Sequence, residues 1–285
     1  MSRVIVTGGA GFIGTNLIKK LLNEGHHVQS IDNYDSGLES NHQTGAIYLN
    51  EDLSNIKKLG SNYDIVFHLG ALSRIQPSFN YPEKTFNVNV TGTQKVLEWA
   101  RFTGTKVVYA GSSSKHHDPY QSPYAATKYM GEQVCKMYKK TYGMDVEIAR
   151  FYNVYGPHEV IDGDWAAVIG IWRRLVKEHE PITIVGDGEQ RRDFTHVEDI
   201  VEALYRIGFR NQVHEDAWEL GTGVNYSINE LYLMFRERFG CNFINVPDQE
   251  GNYRETLRTN DDTVKRLNWQ PQDRLKEYIF SLGKD

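Results

Sequence analysis

The sequence has little cysteine, no excess of positive charge and no long apolar run. Its 285 residues include two cysteines, Cys135 and Cys241, which match neither a disulfide framework nor a metal site. The formal net charge of -5 argues against a general nucleic-acid binder, which would present a basic face. No apolar stretch approaches the roughly 20 residues of a membrane helix, and residues 4–6 are too short a run for a signal peptide. We therefore expect a cytoplasmic protein with no metal, nucleic-acid or membrane partner.

Short β-branched runs alternate with amphipathic stretches through the first half of the chain. Residues 4–6, 28–31, 65–68, 106–109 and 146–150 have the pattern of buried parallel strands. Residues 12–23, 91–102 and 123–142 have the periodicity of helices, the last with a proline in its first turn and Gly143 after it. This alternation predicts an α/β fold, a Rossmann-type doubly wound parallel sheet.

The pattern becomes less regular after residue 157, where proline and glycine turns interrupt it. Helices are predicted at about 166–179 and 228–239, and two short ones around residues 269–271. No repeat or low-complexity linker separates this part, so we expect a smaller C-terminal α/β region packed on the sheet. The predicted division is a dinucleotide-binding domain of residues 1–153 and 182–222, and a substrate domain of residues 154–181 and 223–285.

A glycine-rich turn follows the first predicted strand. Gly8 permits a tight exit from the strand, Gly11 lets the backbone approach a pyrophosphate, and Gly14 lets helix and strand pack closely. The following helix would direct free N–H groups and a positive dipole end at the phosphates. An ordinary turn between a strand and a helix is the alternative. The position of the turn, directly between a strand and an amphipathic helix, favours a dinucleotide site.

An acid stands where the second strand ends. Asp32 lies 18 residues beyond Gly14, where a carboxylate accepts hydrogen bonds from the adenosine ribose and repels a 2′-phosphate. The sequence thus predicts NAD rather than NADP, with a helix or turn cap as the alternative. Asp52 and Leu53, after the next strand, are candidates to flank the adenine, although a plain turn explains Asp52 nearly as well.

Tyr124 and Lys128 are four residues apart, on one face of the predicted helix. No other tyrosine of the chain has a lysine at the fourth position after it. A tyrosine can accept a proton near neutral pH only where positive charge lowers its pKa from about 10. Lys128 and an oxidised nicotinamide would supply that charge, and Ser112, at the end of a strand, would bind the same substrate oxygen. Chance pairing is the alternative.

Seven segments together resemble one family over nearly the whole chain. They are TGGAGFIG, FHLGAL, NVTGT, YAATK, RFYNVYGP, GDGEQRRDF and LNWQP, in that order. The chain resembles the extended short-chain dehydrogenases/reductases, in the nucleotide-sugar epimerase/dehydratase branch that includes proteins like UDP-glucose 4-epimerase. The resemblance implies a cofactor groove formed by the glycine turn and by residues from several strand ends: Phe12, Ile13, Asp32, Asn33, Asp52, Leu53, Leu69, Gly70, Ala71, Asn89, Tyr124, Lys128 and Phe151.

The same resemblance implies a nucleotide-sugar site at Ser114, Asn153, Arg192 and Arg254. Arg192 matches a position that meets the diphosphate, and a guanidinium fork suits phosphate oxygens. A surface ion pair with Asp193 or Glu189 is the alternative for Arg192. Family members also commonly form homodimers through the helices predicted here at 91–102 and 124–142, although sheet-facing core positions explain the apolar residues of those helices almost as well.

Three departures from the family pattern matter. Tyr124 comes only 12 residues after Ser112, so a usual loop is missing and we expect a more open site. His116 and His117 are expected to face solvent, with replacement contacts or a metal as the alternatives. Ser113 and Ser114 replace the Asp-Glu pair with which dehydratases expel water. Gln249 replaces a second phosphate-binding arginine, whose role Arg254 is the candidate to share. Thr256 aligns with a site whose small side chain admits N-acetylated sugars.

The combined hypothesis is an NAD-dependent epimerase acting at C4 of a UDP-hexose, either UDP-glucose/galactose or an N-acetylated counterpart. A dehydratase or net oxidoreductase on a nucleotide-sugar is the alternative within enzymes. A non-catalytic NAD-binding regulator is a more distant alternative, against which the intact Tyr124, Lys128 and Ser112 count.

Overall fold

Strands and helices alternate as the sequence predicts. The computed structural model describes residues 1–283, so residues 284–285 of the predicted substrate domain lie outside the described residues. The strands are β1 (Arg3–Thr7), β2 (His27–Asp32), β3 (Ile47–Asn50), β4 (Ile65–His68), β5 (Lys106–Ser112), β6 (Val146–Phe151), β7 (Asn153–Tyr155), β8 (Ile182–Val185), β9 (Arg191–His196), β10 (Trp218–Leu220), β11 (Asn225–Ser227) and β12 (Phe243–Val246). The helices are α1 (Phe12–Asn23), α2 (Ile75–Asn80), α3 (Pro82–Phe86), α4 (Thr93–Thr103), α5 (Pro123–Tyr142), α6 (Val168–Lys177), α7 (Val197–Phe209), α8 (Ile228–Phe239), α9 (Asp262–Leu267) and α10 (Leu275–Ser281).

Seven parallel strands form the central sheet in the order β10-β6-β5-β4-β1-β2-β3. Because side chains alternate along a strand, Val4 and Val6 of β1 face one helical layer and Ile5 faces the other. Helices α1 and α7 cover the first face, and α4 and α5 cover the second. Burying each such aliphatic side chain stabilises the fold by about 1.5–3 kcal/mol. The predicted doubly wound α/β fold is confirmed.

A second core lies beyond the sheet. It joins Trp172 of α6, Phe235 of α8 and Ile279 of α10 with Ile182 and Phe194 of β8 and β9. Strand β8 pairs with β12, and β9 pairs with β7 and β11. The predicted boundary at residue 182 therefore does not follow the strand pairing, because 182–196 belong with the second core. The polar-apolar alternation of these short strands carries no information about their partners.

Local signals explain the ends of α5. Ser122 caps the helix by accepting a hydrogen bond from the Ala125 N–H at 3.1 Å, Pro123 occupies its first turn, and Gly143 ends it with φ 65°. The helix predicted at 91–102 differs in its start, since a π-helical turn at Asn87–Gly92 precedes α4. The helix predicted at 166–179 is shorter, spanning Val168–Lys177. None of the helices in residues 1–283 is long and apolar enough to cross a membrane.

The carboxyl ends of the parallel strands meet at one edge of the sheet. There the chain leaves β1 toward α1 on one face and leaves β4 toward α4 on the other. Such a reversal of crossover direction opens a crevice at which open α/β sheets bind ligands. The sheet edge thus brings together the glycine turn, Asp32, Ser112 and Phe151.

Candidate active site

A cavity of about 910 Å³ lies at this edge of the sheet. Its wall includes the glycine turn at one side and Tyr124, Asn153 and Arg192 at the other. The volume lies within the range of sites for small ligands and cofactors. One continuous cavity therefore joins the predicted cofactor and substrate residues.

The glycine turn has the shape that a dinucleotide needs. Gly8 has φ +70°, and a Cβ on it would lie 2.9 Å from the Cα of Gly70. A Cβ on Gly14 would lie 2.1 Å from the carbonyl oxygen of Gly8, so only glycine allows α1 to start this close to β1. Gly11 and Gly14 line the cavity at the amino end of α1. The backbone thus fits a pyrophosphate group of NAD.

Asp32 closes the same end of the cavity. Its carboxylate is buried and accepts hydrogen bonds from the backbone N–H groups of Ala10, at 2.9 Å, and Tyr34, at 2.8 Å. These bonds orient the carboxylate and leave further lone pairs for ribose hydroxyls. The position agrees with the predicted role in NAD binding.

Most other predicted cofactor residues also line the cavity. They are Phe12, Ile13, Asn33, Asp52, Leu53, Leu69, Gly70, Ala71, Lys128 and Phe151. Asn89 is the exception, since it is buried behind the wall and does not line the cavity. Its amide accepts a bond from the N–H of Leu72 and donates to the Leu72 carbonyl and to Thr127. Asn89 therefore links the loop after β4 to α5, and its predicted contact with the cofactor stays a prediction.

Tyr124 and Ser112 form a hydrogen-bonded pair on the cavity wall. The Tyr124 hydroxyl donates to the Ser112 Oγ at 3.1 Å. Ser112 is the last residue of β5, and its Oγ also accepts a bond from the Ser114 N–H. Tyr124 lies in the first turn of α5, where its N–H donates to Ser78 Oγ at 3.0 Å. The two hydroxyls can bind one substrate oxygen together.

Lys128 lies one turn further along α5 and is buried. Its Nζ donates to the carbonyl of Ala110 and lies 4.7 Å from the centre of the Tyr109 ring. Burial lowers the pKa of Lys128 to about 8. Burial also raises the pKa of Tyr124 above its ordinary value, while the bond to Ser112 and the charge of Arg74 oppose that rise. The protein without its cofactor therefore does not show the lowered Tyr124 pKa that was expected from Lys128 and an oxidised nicotinamide.

A buried ion network fixes the helix that carries these residues. The Arg150 guanidinium on β6 binds Glu132 of α5 at 2.8 Å and Glu219 of β10 at 2.8 Å. Glu219 also accepts a hydrogen bond from Tyr152 and faces His116 at 3.0 Å. Because a buried ion left without its partner is costly, this network holds α5 in place against the sheet.

The short loop between Ser114 and Tyr124 is covered by Tyr253, from the C-terminal part of the chain. The His117 ring stacks on Tyr253, with ring centres 4.0 Å apart. His116 is exposed as expected, although its ring pairs with Glu219, whereas His117 is partly covered by Tyr253. The missing loop was expected to leave the site more open. In the structure, Tyr253 stacks on the short loop and forms part of the cavity wall. Ser113 and Ser114 line the cavity with hydroxyls where a dehydratase has carboxylates.

The far end of the cavity carries Arg192. Its Nη1 donates to the carbonyl of Arg191 at 2.9 Å, and it has no carboxylate partner within the described chain. Burial lowers its pKa to about 10. The alternative of a surface ion pair was wrong for Asp193, whose carboxylate is buried and binds Thr222 and the Arg258 N–H instead. Arg192 is available to an anion in the cavity.

The remaining predicted substrate residues divide. Asn153 and Thr256 both line the cavity, and the Asn153 amide donates to Thr256 Oγ1 at 2.8 Å. Arg254 does not line it, because its guanidinium forms a two-point ion pair with Asp187, at 2.9 Å for each bond, on the exposed side. The structure thus gives no support to a role for Arg254 at the phosphates.

The cavity wall also includes residues that were not predicted, among them Arg74, Glu159, Trp165 and Tyr253. The position of Arg74 in the sequence was a detectable signal. It lies six residues after the end of β4, and Asp32 lies at the end of β2, so both follow the carboxyl ends of strands in the same sheet. The other three come from loops whose positions only the folded chain determines.

The fold and this site define a class: a Rossmann-type dehydrogenase-like protein with a tyrosine and a lysine beside the cofactor groove. The family model of the NAD dependent epimerase/dehydratase family matches residues 4–221. The chain belongs to that family, and the prediction of NAD as cofactor is confirmed.

Individual relatives match along nearly the whole chain. A Methanocaldococcus jannaschii protein, provisionally named a UDP-glucose 4-epimerase, is 33% identical over 97% of this chain and 95% of its own. UDP-glucuronic acid decarboxylase 1 of Arabidopsis thaliana is 29% identical over 99% of this chain and 69% of its own. The structure of UDP-glucuronic acid 4-epimerase from Bacillus cereus, in complex with UDP-glucuronic acid and NAD, has a TM-score of 0.90 and 25% identity, over 97% of this chain and 96% of that one.

Proposed function

We propose that this protein is an NAD-dependent epimerase that inverts C4 of a UDP-hexose. The observation that carries the proposal is the Tyr124–Ser112 pair, 3.1 Å apart, in a cavity that also contains the glycine turn and Arg192. The kinship with UDP-sugar 4-epimerases supports it.

NAD held by the glycine turn and Asp32 would supply a reversible hydride acceptor, so that C4 of the sugar could be oxidised to a ketone and reduced again on its other face with no net consumption of cofactor. Tyr124 would accept the O4 proton at its phenolate oxygen and later give it back. Ser112 Oγ would hold the same oxygen. Lys128 would place its positive charge one helical turn from Tyr124 and so favour the phenolate, against the effect of burial.

The remaining residues would bind the two ligands. Asp32 and Asn33 would hold the adenosine ribose, and Gly8, Gly11 and Gly14 would hold the pyrophosphate. Arg192 would bind the substrate diphosphate, with Asn153 and Ser114 beside the sugar. We also propose the two-domain division with one change, the transfer of residues 182–196 to the substrate domain, because β8 pairs with β12.

The serines at 113 and 114 favour epimerisation over dehydration, since no acid stands at these positions to expel water. A decarboxylase remains a second candidate because of the relatives of that activity. The products separate these reactions. A C4 epimer keeps all its carbons, a dehydratase yields a 4-keto-6-deoxy sugar, a decarboxylase yields a pentose, and a net oxidoreductase accumulates NADH.

The test is turnover of UDP-glucose, UDP-N-acetylglucosamine and UDP-glucuronate by NAD-loaded protein with no added NAD. Nuclear magnetic resonance of the products should show the C4 epimer of at least one substrate. Absence of a C4 epimer across this panel would remove the proposal. A Tyr124→Phe protein that kept its biological role would favour the non-catalytic regulator.

We further propose a cytoplasmic homodimer formed through α4 and α5. Phe102, Met137 and Tyr142 are exposed on these helices, at 71%, 44% and 51%, whereas Leu97 and Trp99 pack in the chain's own core. The two free cysteines suit a reducing compartment. Light scattering should give twice the mass of one chain, and Met137→Glu should shift it to the monomer.

A further inference from the structure

Arg74, like Arg192, is an arginine of the cavity wall that has no carboxylate partner in the described chain. It directly precedes α2, and its side chain faces the cavity. Its Nε donates to the carbonyl of Trp165 at 2.9 Å, and its Nη1 donates to the carbonyl of Ser73 at 3.1 Å. The Nη2 group has no acceptor within residues 1–283. The guanidinium is thus held by backbone on two sides and keeps donors for a ligand.

The surroundings of Arg74 leave excess positive charge. The acid whose charge acts on it is Glu159, which also lines the cavity. Glu159 already binds Arg173 at 3.0 Å and accepts from the Tyr278 hydroxyl at 3.3 Å. Asp164 lines the cavity as well, but it is exposed to solvent and forms no ion pair in the described residues. Two arginines therefore share one buried carboxylate. A partly buried guanidinium without a counter-ion is costly, which favours an anionic ligand beside it.

Arg74 lies at the reacting end of the cavity. Ser78, on the helix that Arg74 precedes, accepts a hydrogen bond from the Tyr124 N–H at 3.0 Å, and the charge of Arg74 acts on Tyr124. Since Tyr124 must contact the sugar, a cation beside it faces the sugar rather than the diphosphate. Arg192 supplies a separate cation for the diphosphate. A carboxylate is the group that a guanidinium fork binds with two parallel bonds.

We propose that the substrate is a nucleotide-sugar whose hexose carries a carboxylate, and that Arg74 binds that carboxylate. The inference rests on the proposed function, because Tyr124 marks the sugar end only if it is the base. It names a specificity-determining residue that lies outside the seven family segments of the sequence.

Binding of three probes to NAD-loaded protein tests this proposal without turnover. Calorimetry would measure the affinity of UDP, UDP-glucose and UDP-glucuronate for the wild type, Arg74→Gln and Arg192→Gln. We expect the wild type to bind UDP-glucuronate about tenfold or more tightly than UDP-glucose. Arg74→Gln should remove that difference and change the affinity for UDP less than about threefold. Arg192→Gln should weaken all three ligands.

Two outcomes would overturn the proposal. A wild type that binds UDP-glucuronate no better than UDP-glucose excludes a carboxylate site. An Arg74→Gln protein that loses affinity for UDP as well assigns Arg74 to the diphosphate. Arg236→Gln, on the exposed face of α8, is the matched control for loss of one arginine. Arg74→Lys, which keeps the charge without the fork, should restore part of the preference and so exclude misfolding as the cause.

The product assay separates this inference from the proposed function. If UDP-glucuronate binds through Arg74 and no C4 epimer forms, the epimerase proposal fails and the carboxylate site stands. The opposite outcome has three parts: neutral UDP-hexoses are epimerised, the wild type shows no preference for UDP-glucuronate, and Arg74→Gln leaves kcat/KM for the neutral substrates unchanged. In that case the carboxylate site fails and the epimerase proposal stands.

Discussion

The cofactor end and the sugar end of the cavity are built from different stretches of chain. Gly8, Gly14 and Asp32 lie within 25 residues and are placed by the ends of β1 and β2. Arg74, Glu159, Arg192 and Tyr253 come from four separate segments, spread over both cores. The cofactor end therefore depends on local backbone shape, and the sugar end depends on how two regions pack. A binding function shared by many relatives can reside in the first, while specificity resides in the second.

The largest expected effect is at the junction of the two ends. Tyr124→Phe removes the hydroxyl that would accept the proton and should lower kcat by about 10³-fold, or about 4 kcal/mol. NAD content and affinity for UDP should stay near the wild-type values, because neither end of the cavity changes. Product formation in a steady-state assay measures the loss. Epimerisation at an undiminished rate would show that Tyr124 is not the base.

The next effect isolates the cofactor end. Gly14→Ala places a Cβ 2.1 Å from the carbonyl oxygen of Gly8, so the turn must move. We expect about a 100-fold loss of NAD affinity, which corresponds to about 3 kcal/mol. Affinity for UDP should change little. Gly60→Ala, where an added Cβ meets nothing within 4 Å, is the control, and fluorescence titration with NADH reports the binding. Equal losses of NAD and UDP would show that the two ends are not independent.

The third prediction isolates the diphosphate position of the sugar end. Arg192→Gln should weaken UDP binding by about 10-fold to 100-fold, because a charge-assisted bond to phosphate is worth about 1.5–3 kcal/mol. NAD affinity should not change. Arg254→Gln tests the prediction that Arg254 binds the diphosphate. Because the Arg254 guanidinium binds Asp187 outside the cavity, we expect the affinity for UDP to change less than about threefold. A large loss of UDP affinity in Arg254→Gln would return that residue to the site.

The smallest effect concerns stability beneath the cofactor end. His68, at the end of β4, is buried between the hydroxyls of Thr7 and Thr93, at 2.8 Å and 3.0 Å. Burial lowers its pKa to about 3, from about 6.5 in an unfolded chain. Because the folded pKa is the lower one, its contribution is complete above about pH 6.5 and is lost as the pH falls toward 3.

Urea unfolding of the wild type and His68→Asn would measure this contribution. The wild type should lose about 1 kcal/mol of its advantage over the variant between pH 7.5 and pH 5.5. The affinity for UDP should not follow this change. An advantage that is constant over this pH range would mean that the pKa of His68 does not change on folding.

The sequence allowed most of the sheet and the cofactor end to be predicted. Helices α1, α5 and α8 begin and end at the predicted residues, because caps, glycines and apolar spacing act within a few residues. The orientation of Asn89 could not be predicted in this way. Hydrogen bonds with Leu72 and Thr127 hold its amide behind the cavity wall. Those partners are distant in sequence, so no local pattern indicated them.

By itself, the sequence determined the α/β fold, the glycine turn, Asp32 at the strand end and the spacing of Tyr124 and Lys128. Each follows from steric rules that operate along a strand, a turn or one helical repeat. Only the tertiary structure decided that Ser112 meets Tyr124, that β8 joins the second core, and that Arg74 and Arg192 occupy one cavity while Arg254 stays outside. The reason is that burial and charge balance depend on all the neighbours of a side chain, and those come from every part of the folded chain.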